Sequence, residues 1–221
     1  MNIPRITVNL QTESISVTRM KLIIMTKPTF FVEEDKILTT LFEEGMDCLH
    51  LNKPNSEPIY SERLLSLLPE EYYSNIVVHD HFYLKQEYKL GGIHIDGTTT
   101  EVPNNYKGNI SRTIHTVNEL KEAKKMSKYV FLGNIFDSIS EPYTKSAMSV
   151  EELKQASKLG LIDKHVYAVG GMTLDNVHIA KDLGFGGVVI RGDLWNHFDI
   201  HSQQDYRDII QHFTKLRKTI D

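Results

Sequence analysis

The chain has 221 residues, 40% of them hydrophobic, enough to bury one sizeable core and requiring no more than one domain. Twenty-five basic residues against 29 acidic ones give a formal charge of -4, and no basic block suggests a nucleic-acid footprint. A single cysteine, Cys48, excludes an internal disulfide, the apolar runs are too short to span a bilayer, and the N-terminus lacks a signal-peptide pattern, so the expected compartment is the cytoplasm.

Residues 1–19 alternate weakly and precede a second methionine, Met20; they read as an N-terminal extension, with the domain spanning 20–221. Strands are then expected at 21–26, 47–51, 75–79, 92–95, 110–114, 129–133, 166–170 and 187–191, where β-branched and aliphatic residues lie between turn signals. Helical spacing fills most of the intervals, at 32–44, 61–68, 117–125, 150–159 and 174–183, and a closing helix runs from 203 to 218. The connector GTTTEVPNNYKG is the exception, because Pro103 and its polar neighbours oppose a helix. Eight strands alternating with helices predict an α/β fold, a small single-domain (β/α)8 TIM barrel. An open doubly wound sheet is the alternative, and it needs a reversal of strand order.

In such a barrel the chemistry belongs at the C-terminal strand ends, and side-chain alternation tells which residues share a face. In CLHLN, Cys48, His50 and Asn52 share one face; in ISRTIHT, Ser111, Thr113 and His115 do. The third strand ends in His79, Asp80 and His81, and the fourth pairs His94 with Asp96. Taken singly, His81 and His94 read as hydrogen-bonded rim residues, and Asp96–Gly97 as a turn. The histidines and Asp80 match no recognised metal-ligand spacing, so a tight histidine–metal centre is not expected.

Two turns stand out. VYAVGGMTLDNV places Gly170 and Gly171 after the seventh strand, and GFGGVVIRGDLW places Arg191 and Gly192 after the eighth. Glycines let backbone N–H groups approach an anion, and Thr173 and Asp193 follow as candidate helix caps. Together the turns predict a phosphate site.

The segments LHLNK, RTIHT, YVFLGNIF, AVGGMTLDNV and GFGGVVIRG, within residues 21–198, resemble the thiamine phosphate synthase and TenI-like thiazole tautomerase family. The resemblance implies a barrel enzyme of thiamine biosynthesis that joins hydroxymethylpyrimidine diphosphate to thiazole phosphate and releases pyrophosphate with Mg2+. It places the thiazole phosphate on Gly170, Gly171, Arg191 and Gly192. The pyrimidine and diphosphate fall to His50, Asn52, Lys53, His79, Thr113 and Gly133, the metal to Asp80, and the catalytic role to His115. The partners implied are small-molecule phosphates, with no nucleic acid or membrane, and a homo-oligomer.

The chain also departs from the family pattern. His50, Leu51, Asn52, Lys53 and Pro54 stand where the family reads Q-L-R-x-K. His79–Asp80 replaces an Asn–Asp pair, Thr99 replaces a second magnesium aspartate, and Glu141 in GNIFDSISE replaces a lysine for which Lys145 is the candidate substitute. Losing cations around a diphosphate is costly, so two further readings stand beside the synthase. One is a tautomerase using His115 without metal, with Arg112 or Lys53 available to a carboxylate. The other is a non-catalytic thiazole-phosphate binder.

Overall fold

The computed structural model describes residues 19–140, 143–146, 148–196, 198–200 and 202–221. Apart from Arg19, the N-terminal extension lies outside the described residues. All eight expected strands form: β1 (Lys21–Met25), β2 (Cys48–Leu51), β3 (Ile76–Val78), β4 (Gly92–Asp96), β5 (Ile110–Ile114), β6 (Tyr129–Leu132), β7 (Val166–Ala168) and β8 (Gly187–Ile190). They pair in parallel and in chain order, and β8 returns to β1 with Ile23 opposite Val189 and Ile24 opposite Ile190. The sheet is a closed barrel, and the open-sheet alternative is ruled out.

Alternation along each strand divides the apolar residues into two cores. Leu22, Ile24, Leu49, Val78 and Ile93 point outward and pack beneath the helices in one large cluster. Ile23, Met25, Phe131 and Val189 point inward and form a separate cluster with Cys48, Tyr129, Tyr167 and Val169. The interior is therefore filled by side chains, as barrels of this size require.

The helices are α1 (Glu34–Glu43), α2 (Pro58–Leu67), α3 (Leu84–Glu87), α4 (Leu120–Lys125), α5 (Val150–Lys158), α6 (Val177–Asp182), α7 (Gly192–Trp195) and α8 (Gln203–Ile220). Helix α2 starts three residues before the expected Ser61, because Pro58 at its first turn is already set to helical φ. Ser149 and Glu152 close a capping box on α5. The connector after β4 holds no helix, as its composition indicates. The short helix α3 and a 3-10 turn at Glu70–Asn75 were not expected, since four to six residues carry too little periodicity to register, whereas the short helix expected near Asp193 forms as α7.

Helix α7 bears on the site, because it begins at Gly192. Its Trp195 is buried and donates Nε1–H to the Met25 carbonyl at the end of β1 (2.8 Å). That bond ties the turn after β8 to the neighbouring strand end. Trp195→Phe leaves the Met25 carbonyl without its donor and is expected to cost about 1–3 kcal/mol, read as a lower urea midpoint with an unchanged m-value.

Candidate active site

The turns after β7 and β8 line one cavity of about 90 Å³, together with Asn134, Ser138, Ile139 and Ser140 from the loop after β6. One water needs about 10–15 Å³ by a comparable measure, so the space suits a tetrahedral oxyanion. Gly170 and Gly171 have φ of 90° and 63°, the left-handed region that only glycine enters without strain. A Cβ on Gly171 would lie 2.3 Å from the Asp137 carbonyl oxygen, and one on Gly192 would lie 2.9 Å from Ile139 Cβ. Neither turn accepts a side chain.

The carbonyls of these turns are already engaged. Gly170 O accepts from Phe136 N (3.1 Å), Gly192 O from Asn196 N (2.9 Å) and Gly171 O from Asn176 Nδ2 (2.8 Å). The amides of Gly171 and Gly192 find no protein acceptor among the described residues. Donors therefore remain for an anion, with Arg191 beside them.

The two expected caps act differently. Thr173 and Asn176 bond reciprocally in a turn, Thr173 N to Asn176 Oδ1 (2.8 Å) and Asn176 N to Thr173 Oγ1 (3.3 Å), so α6 begins only at Val177. Asp193 lies inside α7 and caps nothing there; its Oδ2 accepts from Leu174 N (3.2 Å) and pairs with His212 Nε2 (2.6 Å). It thereby links the β7 turn to the β8 turn and to α8.

Next to this cavity, Asn52 reaches Met25, which also lines it, with Nδ2 3.6 Å from the Met25 sulfur. His115 is exposed on the rim, and its Nδ1 donates to the Gly133 carbonyl (2.6 Å), which leaves Nε2 for a ligand. Gly133 thus meets His115 through its backbone.

Below the rim, His50 and His94 are buried in the barrel interior and His79 is half-buried. His50 Nδ1 lies 2.9 Å from His79 Nε2, and His50 Nε2 lies 2.7 Å from the Tyr129 hydroxyl. His94 bonds Ser111 Oγ through Nδ1 (2.8 Å) and Thr113 Oγ1 through Nε2 (2.7 Å). Burial holds all three imidazoles neutral: His79 is pushed down to about 3, with the Arg191 charge adding to burial, and His50 and His94 fall well below the ordinary histidine value. His94 is therefore an interior residue and not a rim residue, whereas His81 fits its expectation, with Nε2 bonded to the Ser56 carbonyl (2.9 Å). Tyr129 and Ser111 were missed as partners; their inward parity with Phe131 and Thr113 was the available signal.

Three cations proposed for ligands are occupied elsewhere. Lys53 Nζ is buried beneath the helices, 2.6 Å from Glu34 Oε1 and 2.9 Å from the Thr29 carbonyl, with the Phe30 ring 4.4 Å away. Burial lowers the Lys53 ammonium and raises the Glu34 carboxyl to about 7, so the pair is expensive to keep charged and serves packing around α1. Arg112 Nη1 donates to the carbonyls of Gly97 (2.7 Å) and Thr100 (3.1 Å), bracing the loop after β4. Lys145 pairs with Asp137 (2.8 Å) on the loop after β6, and Glu141 lies outside the described residues. A half-buried lysine that sequence reasoning passed over, Lys27, follows β1 on the rim.

The closed (β/α)8 barrel gathers the glycine turns after its seventh and eighth strands, with Arg191, around one small cavity, at the place where barrels of this architecture frequently bind phosphate. A model of the thiamine monophosphate synthase family matches residues 22–194, and the chain belongs to that family. A solved thiamine phosphate pyrophosphorylase from Bacteroides thetaiotaomicron superposes with a TM-score of 0.81 at 50% identity, over 90% of this chain and 97% of that one. The thiamine-phosphate synthases of Flavobacterium johnsoniae and Actinobacillus succinogenes are 21% and 25% identical, over 68% and 74% of this chain and 76% and 80% of theirs. Among the described residues, no helix is long and apolar enough to cross a membrane.

Gly171→Ala forces a Cβ toward the Asp137 carbonyl and displaces the amide. It is expected to weaken binding of thiazole phosphate by about 10- to 100-fold, the equivalent of one charge-assisted hydrogen bond, in calorimetric titration. Binding of the dephosphorylated thiazole alcohol should change little.

Proposed function

We propose that this protein is a thiamine-biosynthesis transferase that joins hydroxymethylpyrimidine diphosphate to thiazole phosphate and releases pyrophosphate. The amide-lined cavity at the turns after β7 and β8 carries the proposal. Family membership and 50% identity to a pyrophosphorylase over nearly its whole length support the same reaction and disfavour the tautomerase and silent-binder readings.

In this reading Gly170, Gly171 and Gly192 hold the thiazole phosphate through backbone amides, with Arg191 supplying charge. Asn52, His79 and Thr113 border the pyrimidine. His50 is fully buried one layer below, and its contact with His79 sets how that ring stands. His115, oriented by the Gly133 carbonyl, offers Nε2 as the acid–base group.

The departing diphosphate needs compensating charge, and Lys53 and Lys145 do not supply it. Lys27, half-buried just after β1, is a candidate for the role. The resemblance also implies magnesium, and the donor set fits it. Asp80 lies two residues past the end of β3 with Oδ2 accepting from the Lys53 amide (3.3 Å), and exposed Asp96 ends the neighbouring β4. Magnesium commonly takes one or two carboxylates and completes its shell with water and substrate phosphate. Asp80, with Asp96, would hold the ion, whose charge would offset that on the departing diphosphate.

Protein incubated with both substrates and Mg2+ is expected to release pyrophosphate, and Asp80→Asn should lower kcat at least tenfold. No pyrophosphate release, together with exchange of the thiazole ring proton in heavy water that disappears in His115→Ala, would contradict the synthase and identify a tautomerase.

A further inference from the structure

We infer that the barrel interior beneath the rim binds one divalent transition-metal ion, of the zinc, cobalt or nickel class, on the imidazoles of His50, His79 and His94. Each residue comes from a different neighbouring strand or strand end, β2, β3 or β4, and one ring nitrogen from each lies within 4.8 Å of the other two. Two imidazole nitrogens on one tetrahedral zinc, each about 2.0–2.1 Å from the metal, stand about 3.3 Å apart. His50 Nδ1 and His79 Nε2 are 2.9 Å apart, so this pair needs to open by only a few tenths of an ångström. His94 is stacked on His79 at 4.2 Å between ring centroids and completes the set within the same 4.8 Å span.

The surroundings match what a histidine metal site requires. Ligating imidazoles usually donate their second nitrogen to a fixed partner that orients the ring. His50 has Tyr129 (2.7 Å) and His94 has Ser111 (2.8 Å) in that place. Binding replaces the His50–His79 and His94–Thr113 hydrogen bonds with nitrogen–metal bonds and keeps the two outer bonds.

An all-imidazole set selects zinc, cobalt or nickel over magnesium, which prefers carboxylate, water and phosphate oxygen. The site is thus chemically separate from Asp80, and the inference does not depend on the synthase reading. Its ligands are 29 and 15 residues apart in the chain, too far to form a local spacing motif. Strand closure alone brings them together.

Untagged protein stripped with a chelator, loaded with Co2+ and desalted is expected to retain one equivalent per chain by plasma emission, with the visible absorption of a low-coordinate cobalt–imidazole site. His50→Gln and His94→Gln should each reduce retention to background. His79→Gln, at a half-buried position, supplies the same test should either buried variant fail to fold. Tyr129→Phe should keep the stoichiometry and weaken affinity about 10-fold or more. Excess Mg2+ should displace none of the cobalt. Parent protein that retains no cobalt, or equal retention in all three histidine variants, would overturn the inference and leave a hydrogen-bonded imidazole cluster only.

Discussion

Closure of the sheet between β8 and β1 is the constraint on which the rest of the structure depends. Four residue pairs, from Lys21–Gly187 to Ile24–Ile190, fix that seam, and the β7–β8 pairing fixes the one beside it. With both in register, the chain leaves β7 at Gly170 and β8 at Arg191 on the same rim, and the loop after β6 folds over both. The cavity proposed for phosphate is the gap left where these loops meet, and Gly170, Gly171 and Gly192 bring no side chain to fill it. Trp195 and Asp193 hold this corner from outside, one on the Met25 carbonyl and the other on Leu174 and His212.

A second consequence of closure is a polar interior. Inward positions on β2 to β6 hold three histidines, Ser111, Thr113 and Tyr129 where a barrel usually packs branched aliphatic residues. Each buried polar group costs free energy unless it is bonded, and here His50 and His94 use both ring nitrogens. Such a network imposes one arrangement of side chains below the substrate, because moving any ring breaks its neighbours' bonds. Phe131, in contact with His50 and His94, closes the interior on the far side.

The strands and their parity were legible in the sequence because β-branched runs between glycine and polar turns allow little else, and alternation then fixed His50 inward and Leu49 outward. The paired glycine turns were legible for the same reason: only glycine suits φ of 63–90° against a covering loop. Long-range partners were not legible. Nothing local announces that Lys53 will meet Glu34 across α1, although its parity, opposite to Asn52, already pointed it toward the helices. Arg112 is a similar case, outward on β5 and taken by carbonyls of the preceding loop. The imidazole cluster was hidden most deeply, because each ring resembles an ordinary strand-end histidine until the strands are laid side by side.

The most direct test of the central claim is a crystal structure of the protein with thiazole phosphate bound. Phosphate oxygens within about 3 Å of the amide nitrogens of both Gly171 and Gly192 are the predicted result. Phosphate bound elsewhere on the rim, or held by side chains with those two amides turned away, would contradict the account.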